Sequence, residues 1–213
     1  MGETRRRTLP VSGIWFAQAP PERILCNCKS AGGRVSQIAV NNRKIIRQAT
    51  SGILTISGVS ITIRQYEPRD FGVLHKLDQA CFPPGIAYSK TMLRYFMFQA
   101  GAECLVAVDD GKIAGFIVSE ENPPLAHIVT LDVAESHRRH GVGTQLLRES
   151  EANLRFRGVR TVLLETAISN EAGIAFWERH GYRKEAVLKN YYPGRLDAFE
   201  MRKKLPAQPS ATH

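Results

Sequence analysis

The chain has 213 residues, 43% of them hydrophobic and 23% charged, which is the balance of a soluble globular protein and excludes a membrane-embedded or disordered one. No apolar run approaches the roughly 20 residues that span a bilayer, so we expect no membrane contact. Four irregularly spaced cysteines offer neither a disulfide framework nor a zinc site, which favours the reducing cytoplasm and no bound metal.

Basic residues are concentrated at the N-terminus. Residues 1–58 hold nine Lys or Arg and two acidic residues, so they carry +7 of the total net charge of +9. No helical or strand period persists there, and we expect a poorly ordered extension; a start codon further downstream is the alternative. Since the rest of the chain is nearly neutral, nucleic-acid binding is expected at most weakly, through this extension to ribosomal RNA, and a solvated disordered tail is the better explanation of the charge.

A single domain is predicted over residues 59–205, followed by a disordered tail at 206–213. It begins with an alternating strand at 61–64 and a helix carrying apolar residues at helical spacing, at Val73, Leu74, Leu77 and Cys81, and a second helix follows Ser89. Strands at 103–108 and 113–118 are joined by a turn with the Asp-Gly step that is typical of hairpins.

Strands and helices then alternate along the chain. They are expected, in order, at 127–133, 141–157, 161–165, 170–180, near 187 and at 198–203. This order predicts an α/β domain with a central mixed, twisted sheet and helices on both faces.

A glycine-containing loop lies between the strand ending at Val133 and the helix that follows it. Its sequence is Arg138-Arg139-His140-Gly141-Val142-Gly143-Thr144. The free N–H groups and the positive dipole end of a helix N-terminus favour phosphate oxygens. The loop therefore predicts a pyrophosphate site, although the same pattern also serves as a structural turn.

This loop fits the [QR]-x-x-G-x-[GA] motif of GNAT acetyltransferases, and the chain resembles that family in several motifs placed in the same order. LDVAESH precedes the loop, LLETAISNEAGIAFWERHGY follows it, and NYYPGRLDAFEMRK is similar to the end of RimI-like N-terminal protein acetyltransferases. The resemblance covers residues 59–205. It implies a GNAT fold in which two neighbouring parallel strands at the centre of the sheet splay apart.

The resemblance also implies where the co-substrate acetyl-CoA binds. Its pantetheine is expected beside the strand that holds Leu131, Asp132 and Val133, near Asn170. Its pyrophosphate is expected on the loop, chiefly on the backbone N–H groups of Arg138, Arg139, His140, Gly141, Val142, Gly143 and Thr144. Trp177 is a further expected cofactor contact. It occupies the position at which RimI-like enzymes have a tyrosine that serves as the general acid, and an indole N–H cannot protonate a thiolate.

Acetylation of an amine needs a base for the amine proton and a proton source for the leaving thiolate. Glu165 matches the general base of RimI-like enzymes, and a solvated strand-end glutamate is the alternative. Tyr191 and Tyr192 are candidate acids, but in the family they also position the acceptor backbone, and solvent can supply the proton instead. The backbone N–H near Val133 is expected to polarise the thioester oxygen.

The acceptor is expected near the loop between the first two helices. Phe82 and Tyr88 are candidate acceptor contacts or parts of a rigid turn, and His127 is a candidate titratable contact or a core histidine. Asp197 is expected to fix a turn or a strand pairing.

The resemblance implies direct transfer of acetyl from acetyl-CoA to a primary amine, namely the α-amino group of a protein N-terminus such as that of a ribosomal protein. Acetylation of a small-molecule amine or a lysine side chain is one alternative, and a non-catalytic acetyl-CoA sensor is another.

Overall fold

The computed structural model describes residues 54–56 and 59–207. Its elements, in chain order, are β1 (Leu54–Ile56), β2 (Val59–Gln65), α1 (Phe71–Cys81), α2 (Lys90–Met97), β3 (Ala102–Asp109), β4 (Lys112–Asn122), β5 (Leu125–Val133), α3 (Val142–Phe156), β6 (Thr161–Ala167), α4 (Glu171–Arg179), β7 (Arg183–Tyr192) and β8 (Leu196–Lys204). None of these helices combines the length and apolar character needed to cross a membrane.

The eight strands of the described residues form one mixed sheet in the order β1-β2-β3-β4-β5-β6-β8-β7. Every neighbouring pair is antiparallel except β5 with β6, which is parallel. This confirms the predicted mixed sheet. β1 lies within residues 1–58, where the sequence shows no persistent strand period; the rest of that segment and residues 208–213 lie outside the described residues.

The main hydrophobic core lies between one face of the sheet and the helices α3 and α4. It joins alternate residues of the strands to the apolar sides of the two helices, among them Leu105, Ile117, Leu146, Leu147, Trp177 and Tyr182. Because side chains alternate across a strand, Val106, Phe116 and Val118 are buried on the opposite face, where α1 and α2 contact β3 to β5. Helices therefore cover both faces, as predicted.

The buried side of α1 contains one polar residue. Phe71, Leu74 and Asp78 are its buried positions, at the spacing of three and four residues that places them on one helix face. Val73, which was expected on the apolar side, is 48% exposed because it lies off this face. The apolar pattern alone did not point to Asp78.

The two central strands pair over three residues and then separate. Leu125, Ala126 and His127 pair with residues 161–163 of β6, and beyond these pairs β5 continues beside β4 alone while β6 continues beside β8 alone. Val129 forms a β-bulge, because its neighbours Ile128 and Thr130 pair with consecutive residues of β4. The described residues thus confirm the splayed central strands.

Candidate active site

A histidine and a glutamate meet where β5 and β6 separate. His127 on β5 and Leu163 on β6 form the last residue pair between the two strands. Glu165 lies two residues beyond Leu163 on β6. The imidazole Nε2 and the carboxylate Oε2 are 2.7 Å apart, and each side chain is 13% exposed. The pair is therefore largely enclosed by protein at the floor of the opening between the strands.

Each member of this pair stabilises the charged form of the other. Burial alone would lower the pKa of His127, but the attraction of Glu165 and their hydrogen bond leave the pKa of the imidazole raised above 6.5. Burial alone would raise the pKa of Glu165, yet His127 and a hydrogen bond from Tyr191 leave it lowered from 4.5. Glu165 is thus ionised at neutral pH.

Two tyrosines from the end of β7 adjoin this carboxylate. The Tyr191 hydroxyl donates a hydrogen bond to Glu165, and the Tyr191 and Tyr192 rings pack edge to face with centroids 4.9 Å apart. Burial, followed by the negative charge of Glu165, raises the pKa of both phenols. Both phenols therefore keep their protons at neutral pH.

The glycine-containing loop ends at the N-terminus of α3. Arg139 (φ 66°) and Gly141 (φ 82°) both adopt left-handed backbone conformations, and Gly141 is the N-cap of the helix. The first N–H groups of a helix have no acceptor within it and carry the positive end of its dipole. The loop therefore presents backbone donors at the same end of the sheet as the carboxyl end of β5.

The start of α3 is packed closely against its neighbours. A Cβ on Gly143 would lie 3.4 Å from both the Leu131 side chain and the Phe176 ring, which is tight contact. His180 donates from Nδ1 to the Phe176 carbonyl (2.8 Å), so its Nε2 accepts from the Thr144 hydroxyl at 3.0 Å. These contacts fix the first turn of α3 relative to β5 and α4.

These features together fit a ligand that is long, has an extended polar chain and ends in a pyrophosphate. Between residues 128 and 133, β5 has no strand partner on its β6 side among the described residues, which leaves backbone groups for an extended ligand. The helix N-terminus supplies the anion site. The sequence model of the acetyltransferase (GNAT) family matches residues 72–182, about half of the chain.

The protein belongs to the GNAT acetyltransferase family. It is an N-acetyltransferase that uses acetyl-CoA.

Similar proteins include enzymes that act on protein N-termini. The chain is 34% identical over 111 residues to the [ribosomal protein bS18]-alanine N-acetyltransferase of Escherichia coli K12, an alignment that covers 51% of this chain and 70% of that protein. It is 31% identical over 117 residues to N-alpha-acetyltransferase 30 of Schizosaccharomyces pombe, covering 53% and 78% respectively. The crystal structure of the ribosomal-protein-S18-alanine N-acetyltransferase from Escherichia coli superposes with a TM-score of 0.63 at 26% identity, covering 72% of this chain and 99% of that one.

The GNAT fold gives the predicted acetyl-CoA residues of β5 different orientations. Leu131 and Val133 are partly exposed, whereas Asp132 is 1% exposed. Asp132 accepts a hydrogen bond from the Thr130 hydroxyl at 2.7 Å, and burial, then the charge of Asp78, raises its pKa well above 3.8. The Asp132 carboxylate is therefore enclosed by protein and directed at Thr130.

The arginine that opens the loop turns back onto the end of β5. Arg138 Nε donates to the Val133 carbonyl at 3.1 Å, and its guanidinium also contacts the Cys81 sulfur at 3.7 Å. Arg139 and His140 are exposed, while Val142 is buried. The side chain of Arg138 thus fixes the strand end.

The remaining predicted cofactor contacts have structural partners. The Asn170 side chain caps α4 by accepting from the Gly173 N–H at 3.0 Å, as its N-cap position predicted. Trp177 is 8% exposed and packs edge to face against Phe176 and Tyr182 in the main core. The residue at the family's tyrosine position is therefore part of the packing of α4.

The loop between α1 and α2 closes against the turn between β7 and β8. A Cβ on Gly85 would lie 3.6 Å from Pro193, which follows Tyr192. Phe82 is partly exposed, whereas Tyr88 is 7% exposed and donates its hydroxyl to the Val129 carbonyl at 3.2 Å. Sequence reasoning placed this loop at the acceptor site but did not identify Asp78, which anchors it.

Asp197, also as the sequence suggested, holds a turn. It accepts from the Asn190 N–H at 2.9 Å and from Lys189 Nζ at 2.6 Å. Asn190 itself has φ 54°, so these bonds stabilise a left-handed residue next to the two tyrosines.

Proposed function

We propose that this enzyme acetylates the α-amino group of a protein N-terminus, with residues 59–205 as the catalytic domain. The proposal rests on one observation: the enclosed His127–Glu165 pair lies where β5 and β6 separate. Relatives named as acting on N-termini, including that of ribosomal protein bS18, support this acceptor. We propose a nascent ribosomal protein in the cytoplasm as the acceptor.

The reaction begins with removal of a proton from the acceptor amine. Glu165 is the base, because it is ionised and lies at the point where β5 and β6 open. His127 and Tyr191 both hydrogen-bond to the carboxylate, which restricts its orientation. Protonation of Glu165 removes the charge that favours imidazolium, so a proton on His127 then leaves more easily.

The acetyl group is presented along the open side of β5. The loop of residues 138–144 holds the pyrophosphate through backbone N–H groups, and the backbone near Val133 polarises the thioester oxygen. The bond from the amine nitrogen to the acetyl carbon forms as the carbon–sulfur bond breaks. Arg138 contributes by holding the Val133 carbonyl in place.

The departing thiolate takes its proton from solvent. Tyr191 and Tyr192 have raised pKa values, which makes them weaker acids than an ordinary phenol, and Trp177 is packed in the core. An alkyl thiolate is only moderately basic, so water suffices. In this mechanism the two tyrosines orient Glu165 and line the acceptor site.

A panel of acceptors tests the proposal. Purified protein and acetyl-CoA are incubated with peptides of one sequence carrying a free N-terminus, a blocked N-terminus or an internal lysine, and with small amines, while thiol release is followed. We expect turnover with free N-termini alone. In Glu165→Gln the rate should fall by about 10²- to 10⁴-fold, the usual contribution of a general base.

Glu200→Gln is the matched control. Glu200 pairs with Glu165 across β6 and β8, so this variant removes a neighbouring carboxylate without removing the base. Its rate should stay within a few-fold of wild type. Turnover on lysine or small amines instead of N-termini would assign a different acceptor, and acetyl-CoA binding without any turnover would favour a sensor.

A further inference from the structure

Tyr88 is the last residue of the acceptor loop, which we define as residues 82–88, and its backbone is held by the last turns of α1. Its N–H donates to Asp78 Oδ2 at 2.8 Å. Its carbonyl accepts from Gln79 Nε2 at 2.8 Å, and the same Nε2 donates to Asp78 Oδ2 at 3.1 Å. Two consecutive residues of α1 therefore bind both backbone polar groups of Tyr88.

The other end of Tyr88 reaches the central strand. Its hydroxyl donates to the carbonyl of Val129, the bulged residue of β5. The ring packs against Phe96 of α2 with centroids 5.3 Å apart, and the whole residue is 7% exposed. Tyr88 thus connects the end of α1 to the place where β5 leaves β6.

Asp78 is an unusual residue for its position. It is fully buried on a helix face whose other buried members are Phe71 and Leu74. A buried carboxylate costs free energy unless it is hydrogen-bonded, and its second oxygen, Oδ1, has no hydrogen-bond partner. The carboxylate is therefore retained at this position for the hydrogen bonds that it accepts from Tyr88 and Gln79.

The acceptor loop forms one side of the entrance to Glu165. Gly85 lies against Pro193 on the opposite side, and Tyr192 and Glu165 are close enough to influence the ionisation of Tyr88. A displacement of Tyr88 would therefore move this side of the entrance relative to Tyr191 and Tyr192.

We propose that Asp78 is a positioning residue for the acceptor: by holding Tyr88 against the bulge of β5, it sets the position of the acceptor loop over Glu165. The inference rests on the proposed function, because it assumes that the acceptor enters between this loop and the β7–β8 turn. Asp78 touches no substrate and acts through Tyr88.

Steady-state kinetics of Asp78→Ala separates positioning from general damage. We expect the KM for the peptide acceptor to rise by about 10-fold or more, the equivalent of about 1.4 kcal/mol. The KM for acetyl-CoA and kcat at saturating acceptor should stay within about 3-fold. Asp78→Asn keeps an oxygen that can accept from the Tyr88 N–H, so it should restore most of the acceptor KM.

Asp70→Asn is the matched control, because Asp70 is also a buried carboxylate at an end of α1 and binds a backbone N–H, that of Glu67. It has no contact with the acceptor loop, so its acceptor KM should remain that of wild type. An equal rise of acceptor KM in Asp70→Asn, or no rise in Asp78→Ala, overturns the proposal.

Tyr88→Phe provides a second variant if Asp78→Ala does not fold. It removes the hydroxyl bond to Val129, so we expect a rise in acceptor KM that is smaller than the 10-fold rise expected for Asp78→Ala. Unchanged acceptor KM in Tyr88→Phe would also overturn the proposal.

Hydrogen exchange distinguishes failure of this inference from failure of the proposed function. The Tyr88 amide should exchange at least about 10-fold faster in Asp78→Ala than in Asp70→Asn, with no acceptor present, because only Asp78→Ala removes the oxygen that accepts from this amide. If wild type acetylates no N-terminus but this acceleration occurs, the acceptor assignment fails and the anchoring by Asp78 stands. If the exchange rates are equal, the anchoring fails whatever the acceptor.

Discussion

His127 on β5 and Glu165 on β6 are joined by a 2.7 Å contact between Nε2 and Oε2, across the point at which their strands cease to pair. Since both side chains are 13% exposed, water screens their interaction weakly. The protonation of one residue therefore controls the proton affinity of the other, and the pH dependence of the reaction should report the pair.

The His127→Gln variant should change the shape of the pH–rate profile. In wild type, the imidazolium lowers the pKa of Glu165, and deprotonation of His127 above its raised pKa makes Glu165 a stronger base. We therefore expect kcat/KM to rise with pH through the pKa of His127, in addition to the rise from the acceptor amine. His127→Gln should lose the first rise and about 10-fold of activity at the alkaline plateau.

The measurement is kcat/KM between about pH 5.5 and 9 for one peptide acceptor. His75→Gln is a suitable control, because His75 lies on α1 and stacks on Phe71. An unchanged profile in His127→Gln would show that His127 is only a packing residue.

Tyr191→Phe should raise the pKa of Glu165. The Tyr191 hydrogen bond stabilises the ionised carboxylate, so its removal makes the carboxylate easier to protonate. We expect a ¹³C NMR titration of the Glu165 carboxyl to move to higher pH, and kcat to fall by about 10-fold, as for the loss of one hydrogen bond to a charged group. Tyr192→Phe should shift the titration less, since Tyr192 acts on Glu165 through space. Equal shifts in the two variants would contradict the assigned donor.

Gly141→Ala should weaken acetyl-CoA binding more than its cost in stability explains. Gly141 (φ 82°) and Gly158 (φ 93°) both have left-handed backbones and open space where a Cβ would lie, so alanine at either site should cost about 1–2 kcal/mol of folding free energy. Only Gly141 begins the helix that we expect to bind pyrophosphate. Calorimetry should therefore give about a 10-fold weaker Kd for Gly141→Ala and an unchanged Kd for Gly158→Ala. Similar Kd values in both variants would remove the loop from the binding site.

Arg157→Met should destabilise the fold without affecting the site. Arg157 binds Glu103 through Nη1 and Glu121 through Nε, and the Glu103 side chain is 9% exposed in this pair. Without Arg157, Glu103 keeps hydrogen bonds from the neutral amides of Asn153 and Gln65 but has lost its cation. We expect a loss of about 1–3 kcal/mol in urea denaturation, typical of a lost hydrogen bond to a charged group. Arg69→Met breaks the exposed pair with Glu67 and should cost less than about 1 kcal/mol. Equal losses would show that the burial of Glu103 contributes nothing.

The sequence predicts Glu165 as the base and residues 138–144 as the pyrophosphate site because each lies within one short motif. It did not pair His127 with Glu165, since they are 38 residues apart and meet only because β5 and β6 align at three residue pairs. β1 escaped detection because a three-residue strand is too short to show a period. Asp78 was missed for a different reason, since an apolar pattern cannot indicate a carboxylate on the buried side of a helix.

The three residue pairs between β5 and β6 divide the sheet into two leaves, β1 to β5 and β6 to β8, that share a narrow junction. A ligand that contacts both leaves stabilises them against separation. This stabilisation is about 2.7 kcal/mol when the free ligand concentration is one hundred times Kd. His127 belongs to one leaf and Glu165 to the other. With acetyl-CoA in the proposed position, we therefore expect its occupancy to hold His127 and Glu165 together more firmly.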